Sequence, residues 1–261
     1  MEQITSHDGT LISYKRSGSG SPLILVHGTT ASHKRWDAIT PRFEPHFTVI
    51  AMDRRGRGES GDSPEYNLMR EAEDIAALAD AMDKPVAVLG HSYGALCSLE
   101  AALLSNNISK LILYEAPVPT EYFLYPPGTP ERMKAHIDQG ELEAALEMMM
   151  RDVVKMPDHE FEMYRQLPMW KERVAIAPTI PREMEIELTY NFDPQKFSGL
   201  TIPVLLLRGG DSPPIFKKAT EIVDNALPNS TVVVLPGQQH IAMDTTPDLF
   251  AKETLAFLIQ D

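Results

Sequence analysis

The segment Gly90-His91-Ser92-Tyr93-Gly94 sets a serine between two glycines, a spacing that can arm a hydroxyl as a nucleophile. At frequencies near ~7% for Gly and for Ser, about 0.1 such pentapeptides are expected by chance in a chain of this size. The surroundings lower that figure many-fold, because an apolar run (86–89) precedes the pentapeptide and an Ala/Leu-rich helical stretch (95–104) follows it. A serine on a sharp strand-to-helix turn is held in a strained conformation with the positive end of the helix dipole aimed at it. The glycines let neighbouring segments pack close. A serine hydroxyl is a poor nucleophile at neutral pH and needs an adjacent base that titrates near the working pH. Eight histidines are candidates for that base.

The elements that must position these groups alternate along the chain. Residues 3–6 and 11–15 alternate apolar and polar around Asp8-Gly9, a hairpin signal. Continuous apolar runs follow at 23–27, 47–52, 86–89, 110–114, 203–207 and 231–235, the pattern of strands buried on both faces. Helical patterns lie between them at 68–82, 95–104, 215–226 and 249–259. The predicted fold class is α/β, a mostly parallel central sheet flanked by helices, with a hairpin at its leading edge. From 119 to 191 no strand pattern occurs. There Thr129-Pro130 reads as an N-cap and first-turn proline, a Met-rich helix (141–154) follows Gly140, and shorter helical pieces end the stretch. These residues are expected to form a helical lid (cap) inserted between core strands, with 1–118 and 192–261 as the core.

Hydrophobic residues at 43% and charged residues at 23% are ordinary for a globular chain. Lys and Arg total 24 against 37 Asp and Glu, a net charge of −13, which argues against nucleic acid, anionic membranes and strongly anionic substrates. Cys97 is the single cysteine, so no internal disulfide forms. The first ten residues lack a basic and an apolar signal segment, and no run approaches the roughly 18–20 apolar residues of a membrane span, so a cytoplasmic location is expected.

Over essentially its whole length the chain resembles the α/β-hydrolase superfamily. The resemblance is carried by His27-Gly28 after an early strand, Asp53-Arg54-Arg55-Gly56-Arg57-Gly58-Glu59-Ser60 after the next, the elbow around Ser92, and Gly237-Gln238-Gln239-His240 after the last strand. It implies Ser92 as nucleophile and backbone N–H groups of Thr29 and Tyr93 as the oxyanion hole. It also implies a loop-bracing role for the Asp53–Ser60 turn. His240 stands out among the histidines, because it follows the last strand in a Pro-Gly loop and precedes the C-terminal helix; it is the expected general base. His27 is expected near the oxyanion segment, and His91 is expected to point away from the reacting face.

Two carboxylates compete for the third place. Most superfamily members set an Asp three residues after the Gly that ends the strand here read at 203–207. In Arg208-Gly209-Gly210-Asp211-Ser212 that place holds Ser212, with Asp211 one residue early. A minority take the acid from the end of the preceding strand, where this chain has Glu115. A carboxylate at a buried strand end is costly unless paired, and His240 would pair it. Glu115 is therefore preferred, with Asp211 as the alternative acid.

No metal-ligand spacing and no dinucleotide-binding glycine motif occurs, so no metal and no cofactor are expected. Trp36, Met149, Met163 and Trp170 are expected to line an apolar substrate pocket. The expected activity is a serine hydrolase cleaving a mainly apolar small-molecule ester or lactone through an acyl-serine intermediate. Two alternatives stay open. One uses the same triad for carbon–carbon hydrolysis, perhydrolysis or a lyase step; the other is a non-catalytic ligand-binding relative. The sequence is compatible with a monomer or a homodimer.

Overall fold

The computed structural model describes residues 1–259 apart from 155, 157 and 168; the last two residues of the expected core segment lie outside the described residues. The chain divides into two compact units, Met1–Tyr122 with Tyr190–Asp261, and Phe123–Thr189.

The first unit is built on one sheet. Its strands are β1 (Glu2–Thr5), β2 (Leu11–Gly18), β3 (Ser21–Val26), β4 (Phe47–Met52), β5 (Val86–His91), β6 (Ile108–Tyr114), β7 (Val204–Gly209) and β8 (Ser230–Leu235), in the order β1-β2-β4-β3-β5-β6-β7-β8. β1 and β2 form the antiparallel hairpin, with Gly9 at φ 87° in its turn, and β2 runs antiparallel to β4. β3 to β8 are parallel throughout. The continuous apolar runs follow from this burial. Leu23, Leu25, Val49, Ala51, Ala87, Leu89, Ile112, Leu205 and Leu207 face one core with Trp36, Ile39, Phe43 and the helix Pro247–Leu258. Ile24, Val88 and Leu111, which alternate with them, are buried as well. The helices Leu68–Asp80 and Tyr93–Ala101 pack against each other, and the second packs against β5 and β6. Among the described residues no helix is long and apolar enough to cross a membrane.

Two local expectations are corrected. Residues 231–235 read as a strand buried on both faces, yet β8 is the sheet's edge, with Val232 and Val234 exposed by 38% and 41%. A strand with one neighbour presents its far side to solvent whatever its composition. Thr129 is not an N-cap: Gly128 takes that place in left-handed conformation, and Thr129 starts the helix Thr129–Asp138 with its hydroxyl donating to Pro126 O at 2.6 Å.

The second unit is helical in its described elements. They are Thr129–Asp138, Leu142–Met148, Asp158–Arg165, Met169–Ala175 and Ile180–Thr189, with a π-helical turn at Met149–Val153 that interrupts the expected 141–154 helix. Tyr125, Met133, Leu146, Met149, Met150, Phe161, Trp170, Ile180 and Met184 form its own core.

Trp36, expected at a pocket, is fully buried in the first unit's core instead. Trp36→Ala should therefore lower stability by about 3–5 kcal/mol, the usual range for removing a buried aromatic ring. Urea unfolding followed by circular dichroism would measure it, and a change below about 1 kcal/mol would contradict the packing described.

Candidate active site

Ser92 occupies the bend between β5 and the helix Tyr93–Ala101, with φ 55° and ψ −127°. Its N–H donates to Tyr114 O at 2.9 Å, and its carbonyl accepts Ala95 N–H at 2.8 Å, so the bend is tied to both β6 and the helix it opens. Close approach explains the glycines. A Cβ on Gly94 would lie 2.3 Å from His27 O, and one on Gly28 would lie 2.9 Å from Ser92 Cβ. Among the described residues, the non-glycine residues with positive φ are Thr30, Ser92 and Glu115. Each such conformation costs on the order of 1–3 kcal/mol. All three lie where the chain leaves β3, β5 and β6, strands adjacent in the sheet. The strain therefore maps one place.

Glu115 follows β6 and is 1% exposed. A carboxylate this dry is tolerated only when its oxygens are satisfied. Oε1 accepts Gly209 N–H at 2.8 Å, and Oε2 lies 2.6 Å from His240 Nδ1. The carboxylate requires a proton on Nδ1, which leaves Nε2 with a lone pair, the tautomer a general base needs. Asp211 is exposed and reaches no histidine; its N–H donates to Gln238 O at 2.9 Å. Of the two candidate acids, only Glu115 contacts His240. The Ser92 hydroxyl makes no hydrogen bond among the described residues.

Three further residues hold His240, and sequence reasoning had not singled them out for this. The Tyr114 hydroxyl donates to Gln239 O and accepts Ala242 N–H at 3.1 Å, clamping the loop on either side of His240. Burial, followed by the charge of Glu115, pushes the Tyr114 hydroxyl up, so it remains a donor. His91 Nε2 donates to His240 O at 2.8 Å, and the two imidazole centroids are 4.6 Å apart. His91, expected to point away from the reacting face, is buried with its ring packed on His240. Burial is the largest effect holding His91 well below the usual imidazole range, with electrostatic interactions with His240 and Arg35 lowering it further; His91 is neutral. Phe216, near the start of the helix Pro214–Ala226, stacks on His240 at 4.4 Å and 17°. The available signal was positional for two of them: His91 adjoins Ser92 and Tyr114 ends β6, whereas Phe216 lies within the helix after β7.

The segment expected to supply the oxyanion hole is braced from below. Arg54 Nε and Nη2 donate to the carbonyls of His27 and Gly28 at 2.8 and 3.3 Å, its guanidinium lies 4.9 Å from the Tyr93 ring centroid, and Nη1 pairs with buried Glu71 at 2.8 Å. His27 is buried and neutral, with Nε2 accepting Arg54 N–H and Nδ1 donating to Gly28 O at 2.8 Å. Thr29 follows these braced carbonyls. Tyr93 begins its helix, where first-turn amides point out of the helix end. Asp53 accepts from His33 N and Nδ1 at 2.8 and 2.9 Å, as a loop-bracing acid does.

The expected pocket residues are distributed otherwise. Met149 and Trp170 belong to the core of the second unit, where Trp170 Nε1 donates to Glu143 Oε1 at 3.0 Å and packs edge-on to Phe161. Met163 is 62% exposed.

Comparison with known proteins agrees with this architecture. A model of the alpha/beta hydrolase family matches residues 23–253. The solved structure of an alpha/beta hydrolase from Sphaerobacter thermophilus is 34% identical, with a TM-score of 0.87 over 98% of this chain and 100% of that one. Among curated proteins, a 2-(acetamidomethylene)succinate hydrolase from Mesorhizobium japonicum is 24% identical over 95% of this chain and 91% of its own. A pimeloyl-[acyl-carrier protein] methyl ester esterase from Pectobacterium carotovorum is 26% identical over 94% and 97%. The chain belongs to the alpha/beta hydrolase family.

Proposed function

We propose that this protein is a serine hydrolase that cleaves a mainly apolar carboxylic ester or lactone through an acyl-serine intermediate. The observation that carries the reading is the 2.6 Å contact between His240 Nδ1 and buried Glu115, beside a serine held at positive φ. In this reading Ser92 Oγ attacks the substrate carbonyl while His240 Nε2 takes its proton. Glu115 keeps the imidazole in the required tautomer and balances the cation that forms. Thr29 and Tyr93 N–H groups hold the oxyanion, an interaction worth about 3–4 kcal/mol per donor in comparable sites. His240 then protonates the leaving alcohol, and water, activated by the same base, releases the acid.

The esterase relative supports ester chemistry for this chain, and its name specifies a methyl ester. The substrate is bound and turned over in the cytoplasm, without a cofactor.

Hydrolysis of p-nitrophenyl butyrate tests the assignment. Ser92→Ala should lower turnover by at least about 10³-fold, and a fluorophosphonate should label the wild type but not this variant. Steady turnover by Ser92→Ala would end the reading; a labelled serine without ester turnover would favour carbon–carbon hydrolysis, perhydrolysis or a lyase step. Glu115→Gln should cost at least about 10²-fold, and Asp211→Asn less than about threefold; the reverse ranking would move the acid to Asp211. Tyr114→Phe removes both ties on the His240 loop and should lower kcat by about 10- to 100-fold with little change in KM, the cost of a base displaced by less than an ångström or so.

A further inference from the structure

The loop and helix that follow β7 hold no carboxylate against His240, but they do hold a ring. Phe216 lies nearly parallel to the imidazole, 4.4 Å between centroids and 17° between planes, and is half-buried. His91 packs on the same imidazole at 4.6 Å and 45°. A benzene ring presents a negative face, so a cation above it within about 6 Å is attracted, while a neutral ring gains much less. The imidazole of His240 changes from neutral to cationic during the reaction, which makes this contact stronger in the transition state than before it. Only interactions with that property raise kcat.

We propose that Phe216 is a positioning residue whose ring face holds the His240 imidazole in line with Ser92 and favours its cationic form as Ser92 gives up its proton. The inference rests on the reading of His240 as general base. The groups that face this imidazole fit it. Among the described residues Glu115 is the single anion in contact, from the end of β6; Tyr114, on the same strand, has its ring 6.1 Å away. His91, from the end of β5, is neutral and points its Nε2–H at a carbonyl, so it adds no opposing charge. Arg35 and Asp244 pair with each other at 2.6 Å behind the loop. The proton balance is that of the triad: the hydroxyl proton passes to Nε2 and returns to the leaving group, and Phe216 exchanges nothing.

Packing alone would be served by any apolar side chain of similar bulk, so Leu and Tyr separate the two roles. With p-nitrophenyl butyrate, Phe216→Leu should lower kcat about five- to tenfold with KM within twofold, and Phe216→Tyr, which keeps the ring, should restore kcat to within twofold of wild type. The rate of Ser92 labelling by a fluorophosphonate, which needs the base but not the substrate's own binding contacts, should fall in parallel for the Leu variant. Wild-type kcat and labelling in Phe216→Leu, or an equal loss in the Leu and Tyr variants, would overturn the proposal. Phe216→Met serves in place of the Leu variant if thermal unfolding shows that the latter does not fold. Retained turnover in Ser92→Ala would instead defeat the serine-hydrolase reading itself, whatever the Phe216 variants do.

Discussion

A dry carboxylate is the constraint on which the rest of this site depends. Glu115 sits at the end of a central strand, 1% exposed, in a backbone conformation that disfavours side chains. Leaving such a charge unpaired would cost several kcal/mol, more than most single interactions in a fold return. The site meets that demand with two donors, Gly209 N–H from β7 and His240 Nδ1–H from the loop after β8. Three strand ends are thereby joined through one side chain. The tautomer of His240 is a consequence of this stabilising contact, so fold stability and the protonation pattern needed for catalysis have the same origin.

The strain at the site is paid for in the same region. Thr30, Ser92 and Glu115 hold positive φ where neighbouring strands end, and bonds from other segments fix Ser92, Glu115 and the residues just before Thr30. Ser92 N–H reaches Tyr114 O, Glu115 N–H reaches Leu207 O at 3.2 Å, and the carbonyls before Thr29 are held by Arg54. Arg54 itself is fully buried against Glu71, a pair whose attraction has little water to compete with. The basic turn from Asp53 to Ser60 thus acts at a distance on the loop where the oxyanion is expected to bind.

Much of this was legible in the sequence because it is written in periodicity and in short motifs. Uninterrupted apolar runs predicted the doubly covered parallel sheet, and the glycine spacing around Ser92 predicted the bend, since only glycine fits 2.3 Å from His27 O. Edge position is not written there: 230–235 is as apolar as the central strands, and only the strand order exposes Val232 and Val234. Nor are contacts between distant segments. Trp36, Met149 and Trp170 were read as pocket residues from their chemistry, but apolar bulk is the same signal in a core as in a pocket, and these three are core. The holders of His240, Tyr114 and Phe216, are separated from it by 126 and 24 positions, and the apolar run and helical pattern that contain them do not point to a histidine.

The choice between Glu115 and Asp211 shows how one displaced charge reorganises its surroundings. Strands β6 and β7 are neighbours, so the end of either could serve a histidine arriving from β8. A second carboxylate beside Glu115 would raise the cost of both charges, because like charges a few ångströms apart in a dry site oppose ionisation. With the acid on β6, the end of β7 is required to be a donor rather than an anion, and Gly209 N–H fills that role. Asp211 then has no reason to turn inward and remains in solvent. The segment relieved of the acid carries Phe216 onto the imidazole instead, so that one strand end compensates the charge on His240 and the next covers its face.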